Sequence, residues 1–197
     1  NNNELFMPFS TKFMQLFNRV KISPPSDFRK YAKTILEEDS SIINQTDVIT
    51  GANTLLFTVM SLYEKREKRG NKNFENDMHM SWMEENITIL IGLLLEKGAN
   101  PNISWSGNVN ITATDYFIKF LALHLCLTGL DANNPQILLD PYKSLIAQFV
   151  KQKAEFRVNQ LRDGKVQVIL HTYIADVVRS SLQLQLSKQV QPPTLRF

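Results

Sequence analysis

His124 and Cys126 stand two residues apart in the run LALHLCL, an imidazole and a thiol of the kind that cysteine nucleophiles bring together. On a helix, side chains at i and i+2 point apart, so these two cannot form a nucleophile–base pair with each other. Core packing is the default for both, with Cys126 a buried, inert thiol. His79 sits in MHMSWM beside three methionines and Trp82. A flexible apolar patch that packs down or meets a partner is the plainer reading there than a metal site. His171 has no visible ligand partner, the three histidines follow no zinc spacing, and no CxxC, P-loop or GxGxxG occurs. The acid pairs Glu37/Glu38 and Glu84/Glu85 fall at helix ends, where dipole and solvation account for them. No residue is therefore assigned a catalytic, cofactor-binding or metal-binding role.

The whole chain bounds the alternatives. Its 197 residues are 43% hydrophobic and 21% charged, ordinary globular composition with enough apolar material for a core. The net charge of +3 is spread among acids rather than gathered on one stripe, which argues against nucleic acid as a partner. The basic stretch 151–165 (Lys151, Lys153, Arg157, Arg162, Lys165) reads as a solvated helix face. One cysteine permits no internal disulfide. The longest apolar runs, ILIGLLL and YFIKFLALHLCL, fall short of the roughly 20 residues that cross a bilayer. No signal-peptide pattern opens the sequence, so the chain is expected to be intracellular and cytoplasmic, with its four N-x-S/T triplets (Asn44, Asn86, Asn102, Asn110) unused.

Helical punctuation dominates. SPPSDFRKYAKTILEED (23–39) places Phe28, Tyr31, Ala32, Ile35 and Leu36 at helical spacing behind two prolines. EENITILIGLLLEKG (84–98) starts acidic and ends on Lys97 and Gly98, the order the helix dipole favours. In DPYKSLIAQFVKQKAEF (140–156), Asp140 reads as the cap and Pro141 as the first helical residue. KVQVILHTYIADVV (165–178) mixes strand and helix periods and is assigned to helix. A helix opening at Thr54 is expected to run on until Gly70, and GNKNFENDM has loop composition.

The segment LLLEKGANPNI (93–103) carries the strongest signal. Leucines run into Gly98, which takes positive φ without steric cost and ends the helix in a left-handed cap. Ala99 is small enough for a crowded turn, and Asn102 has an amide that bonds turn backbone. QFVKQKAEFRV (148–158) repeats the pattern with Ala154 in the place of Ala99, and ILEEDSSIINQ (35–45) repeats it with Asn44 in the place of Asn102. Ten positions after Asn44 and Asn102 come Thr54 of TLLFTV and Thr112 of TATDYF. These residues resemble the ankyrin repeat, whose second helix ends in apolar residues, Gly-Ala-Asp/Asn and Asn, and whose next first helix opens on Thr-Pro-Leu-His. Thr54 to Thr112 is 58 positions, against about 33 for the family, so each copy carries an insert, near 64–85 and near 123–142.

The resemblance implies an all-α, ankyrin-type helix-pair solenoid of about three enlarged, degenerate repeats with a C-terminal capping helix. The copies fall at about 3–45, 46–103 and 104–158, with the cap at 159–190, in one domain spanning 1–197 that also suits a segment of a larger protein. It implies a non-catalytic protein–protein interaction module, without cofactor, whose partner lies in a concave groove. The hairpin-tip contacts would be Thr46, Asp47, Ser104, Trp105, Ser106 and Asn108, and the first-helix contacts Thr58, Ser61, Leu62, Tyr116 and Lys119. Two other readings compete: an α-helical enzyme whose inserts build a pocket around His79, Trp82 and His124, and a self-associating architectural segment.

Overall fold

The structure is a computed structural model. It describes residues 9–70, 78–105, 111–130 and 133–189, with backbone alone for 78–80. The first copy's opening residues 3–8, the loop centre 71–77, and Ser106, Asn108 and Asn110 lie outside the described residues. The all-α expectation is met, with eight α-helices and no strand among the described residues.

The helices are α1 (Thr11–Asn18), α2 (Pro25–Glu38), α3 (Ser41–Asn44), α4 (Thr54–Arg69), α5 (Met78–Glu96), α6 (Ala113–Thr128), α7 (Lys143–Lys151) and α8 (Gly164–Gln189). Several are started by a polar side chain that answers a helical N–H lacking an intrahelical acceptor. Ser10 caps α1, and Asn53 Oδ1 caps α4 by accepting from Leu56 N at 2.8 Å. Thr112 and Asp115 form a reciprocal capping box on α6. The residue equivalent to Thr112 is thus Asn53, one position before the Thr54 set against it in sequence.

α5 ends as LLLEKGA demands. Gly98 has φ +97°, its N–H reaches Leu95 O at 3.0 Å, and Ala99 N reaches Leu94 O at 2.9 Å. These two bonds are a Schellman cap. α7 ends the same way: Lys153 N donates to Val150 O and Ala154 N to Phe149 O, both at 3.0 Å. Here the left-handed position is Lys153, at φ +59°, where a Cβ is strained. Lys153→Gly is therefore expected to raise stability by about 0.5–1 kcal/mol, read as a higher denaturant midpoint at unchanged slope.

The helices pack in two rows. In one, α4 lies against α6, and the ring of Phe57 meets those of Phe13 and Phe17 on α1. In the other, α5 lies between α2 and α7, and α8 packs beyond α7. α4 against α5 joins the rows, as does Phe117 of α6 stacked on Phe149 of α7 at 4.4 Å. The core between them includes Leu55, Leu56, Leu62, Ile87, Leu94, Leu95, Phe120 and Ile146. Two connections run from row to row, each closed by one antiparallel bridge, Thr46–Asn53 and Ser104–Thr112.

Three local expectations are corrected. Asp140 does not cap α7: a 3-10 segment spans Pro135–Tyr142, α7 begins at Lys143, and Asp140 Oδ1 accepts from Tyr173 OH of α8 at 2.8 Å. Cys126 is exposed, because Leu125 takes the buried position and the next residue turns about 100° away from it. The stretch 78–83, set within an insert, is the first turn and a half of α5, so that insert lengthens both helices it joins.

Candidate functional site: a polar junction and an apolar groove

The two inserts meet in a polar cluster. Arg66 is only 5% exposed, near the end of α4. Its guanidinium reaches Glu84 of α5 at 3.3 Å, His124 Nδ1 of α6 at 2.7 Å and Tyr142 OH at 3.2 Å, and lies over the Phe120 ring. Arg69 shares Glu84 at 2.9 Å. His124 Nε2 donates to Leu138 O at 2.9 Å, so the neutral ring accepts from Arg66 at Nδ1. Both imidazole nitrogens are thereby engaged, which leaves neither free for proton transfer in this arrangement. The side chain of His79 lies outside the described residues, and no group of three His, Cys, Asp or Glu is arranged to hold a metal among those described.

Burial, and then the Arg66 charge, push the His124 pKa below its ordinary value, against the opposing bond to Leu138 O and the charge of Glu84. The unfolded chain thus takes up a proton at this residue more readily than the folded one. The resulting stability is present above the ordinary histidine value of about 6.5 and is lost as pH falls through the folded value. The urea midpoint is expected to drop on acidification through that window. In His124→Gln, whose amide can accept from Arg66 and donate to Leu138, this component of the drop should vanish.

The second feature is apolar. A pocket of about 200 Å³ lies between the first hairpin and α4, lined by Phe9, Asp47, Thr50, Ala52, Leu56, Phe57, Met60 and Trp105. Trp105 is half-buried, packs on the core, and donates its backbone N–H to Ile111 O at 3.2 Å. Beside the pocket the hairpin tip presents Val48 and Ile49, 91% and 64% exposed. The turn that carries them is rigidly held: Asp47 accepts from Ile49 N at 3.1 Å and from Thr50 Oγ1 at 2.6 Å. The Thr50 hydroxyl holds the Asp47 carboxyl below the usual carboxylate range, against the opposing effect of burial. Farther along the row, Tyr63 and Tyr116 meet at 6.0 Å, and Lys119 Nζ lies 5.3 Å from the Tyr116 ring centre.

The expected contact residues divide. Thr46, Ser104 and Lys119 are exposed, and Trp105 and Tyr116 half-exposed. Asp47, Thr58, Ser61 and Leu62 are buried, and of these Asp47 alone lines the pocket. The hydroxyls of Thr58 and Ser61 bond the carbonyls four residues back, Thr54 O at 2.7 Å and Phe57 O at 2.8 Å, so they need no solvent. On the same helix Phe57, Met60 and Tyr63 are half-buried and Glu64 is exposed. Val48, Ile49 and Met60, at or beside the pocket, were not singled out from the sequence. The signal for the first two was two β-branched residues between Asp47 and Gly51, a turn too short to bury them.

The basic stretch 151–165 is partly spoken for. Arg157 pairs with the buried carboxylate of Asp115, its Nε bonding Oδ1 at 3.1 Å. Asn102 also reaches across: its amide donates to Lys153 O and accepts from Glu155 N, each at 3.0 Å. Asn86 is fully buried, and so inaccessible to glycosylation in the folded chain. No helix among the described residues is long and apolar enough to cross a membrane. No protein family, curated protein or solved structure was found to match this chain.

Proposed function

We propose that the chain is a non-catalytic protein-binding module of degenerate, enlarged ankyrin-type helix pairs, closed at its C-terminus by α8. Four features support the helix-pair reading. Two single-bridge connections each hand over to an N-capped helix. Two second helices end in the same cap. Helices pack in two rows. Each turn is tied to the next by an asparagine, Asn53 Nδ2 to Asn100 O at 2.9 Å and Asn102 to Lys153.

The observation that carries the binding role is the apolar pocket under Trp105, with Val48 and Ile49 at its rim. Anchors for partners are few, central and often aromatic. A pocket of about 200 Å³ suits one large apolar side chain of a partner segment. The contact set is Val48, Ile49, Phe57, Met60, Trp105 and Tyr116. The reading of the inserts as an enzyme pocket is disfavoured by the engagement of both His124 nitrogens.

The test is a peptide-library selection against the intact chain, followed by affinity measurement on Trp105→Ala/Tyr116→Ala. Loss of about tenfold or more in affinity, with the thermal midpoint little changed, is the expected result. Selected ligands that bind the double variant as tightly would place the surface elsewhere.

A further inference from the structure

Four of the large apolar side chains exposed among the described residues lie on α8: Val168, Leu182, Leu184 and Leu186. The helix buries Val166, Ile169, Leu170, Tyr173, Ile174 and Val177 against the rest of the chain. Val168, Ala175 and Leu182 recur every seven residues on the opposite side, a spacing that drifts by only about 20° per step. Leu186 lies one turn past Leu182 on the same side. Val168 and Leu182 are 66% and 53% exposed, and Leu186 is 59% exposed. Beside Val168 opens a pocket of about 230 Å³ lined by Val158, Asn159, Gln167, Val168, His171 and Thr172.

One helix face thus carries both a hole, at its N-terminal end, and two leucine knobs, toward its C-terminal end. Ala175 stands seven residues from each of Val168 and Leu182. A two-fold contact is self-complementary: residue i meets residue j, and j meets i. We propose that this face docks a second copy of the same chain, the two α8 helices antiparallel and crossing at Ala175. Each copy's Leu182 then enters the other's pocket beside Val168, while Leu186 lies one turn farther out, opposite the first residues of the other α8. The small side chain at the crossing lets the backbones approach. The exposed charges nearest the crossing, Asp176 and Arg179, pair within their own helix and leave the face without net charge.

The contact strip from Val168 to Leu186 is about 27 Å long at the helical rise per residue. One helix face is narrower than a standard interface of roughly 800 Å² per partner, and a weak, concentration-dependent dimer is expected. The face lies on the last helix, away from the groove under Trp105, so the two proposals stand or fall separately.

Sedimentation equilibrium of the 197-residue chain from about 5 to 500 µM tests it by mass action. A monomer–dimer equilibrium is expected. Leu182→Glu and Val168→Glu should each raise the dissociation constant by about tenfold or more. Both sites are exposed, so the far-ultraviolet circular dichroism should not change. In a Cys126→Ser background, Ala175→Cys should give a disulfide-linked dimer under mild oxidation, while Ser180→Cys, on another face of α8, should not. Trp105→Ala should leave the equilibrium untouched. A monomer throughout that range overturns the proposal. So does a dimer that ignores Leu182→Glu, or one that crosslinks equally well through Ser180→Cys.

Discussion

Arg66→Met is expected to lower stability by about 3 kcal/mol, a fall of roughly 10 °C in the thermal midpoint of a chain this size. Methionine keeps an unbranched apolar stem and removes the guanidinium, with its charge, its donors and its contact over the Phe120 ring. What is lost is the centre of a network drawn from four separated parts of the chain. Glu84 keeps Arg69 but loses its more deeply buried partner. His124 Nδ1 and the Tyr142 hydroxyl lose their bonds to Arg66. Removing one member of a buried pair costs more than the pair contributes, since the remaining charge stays desolvated. The double variant Arg66→Met/Glu84→Gln should therefore be less destabilised than the sum of the two single ones. Equilibrium urea unfolding of the four species measures this coupling. Strict additivity would mean that Arg66 and Glu84 do not act as a pair.

Asn86→Leu should cost a similar amount, about 3 kcal/mol, although the volume hardly changes and the position is fully buried. The Asn86 amide donates to Val20 O at 3.1 Å and to Ser23 O at 2.8 Å. It pins α5 to the turn that joins α1 to α2. Leucine leaves these carbonyls facing a side chain with no donor, and a buried acceptor without a partner costs about 1–3 kcal/mol. If the cost came from packing instead, Asn86→Ala would be markedly worse than Asn86→Leu. The polar account expects the two to be close, with the loss visible first in the amide protection of the 19–24 turn.

The helix ends were the most legible part of the molecule. Gly98, Ala99 and the preceding leucines act within five residues of one another, and the cap they predict is the one that forms. The equivalent cap at Lys153 was legible only through the repeated pattern around Ala154, because a lysine at positive φ carries no compositional mark. Side-chain exposure was read less well. Trp105 was placed rightly at the hairpin, but Thr58, Ser61 and Leu62 were taken for surface. A helical period gives a buried face and an exposed face without saying which neighbours close over the residues between. Thr58 and Ser61 satisfy their hydroxyls on their own helix, and so pass for surface residues while lying in the core.

By itself the sequence determined what local chemistry determines: an all-α chain, where α5 stops, and which leucines leave water. Backbone freedom at glycine, caps within three residues and the spacing of apolar side chains are encoded over a few positions. Only the tertiary structure decided that Arg66, Glu84, His124 and Tyr142 meet, that Asp115 takes Arg157, that Asn86 is buried, and that Cys126 is not. Each of these depends on the rotation of one helix about its axis relative to another. That rotation is set by the summed packing of whole faces, which no short stretch of residues contains.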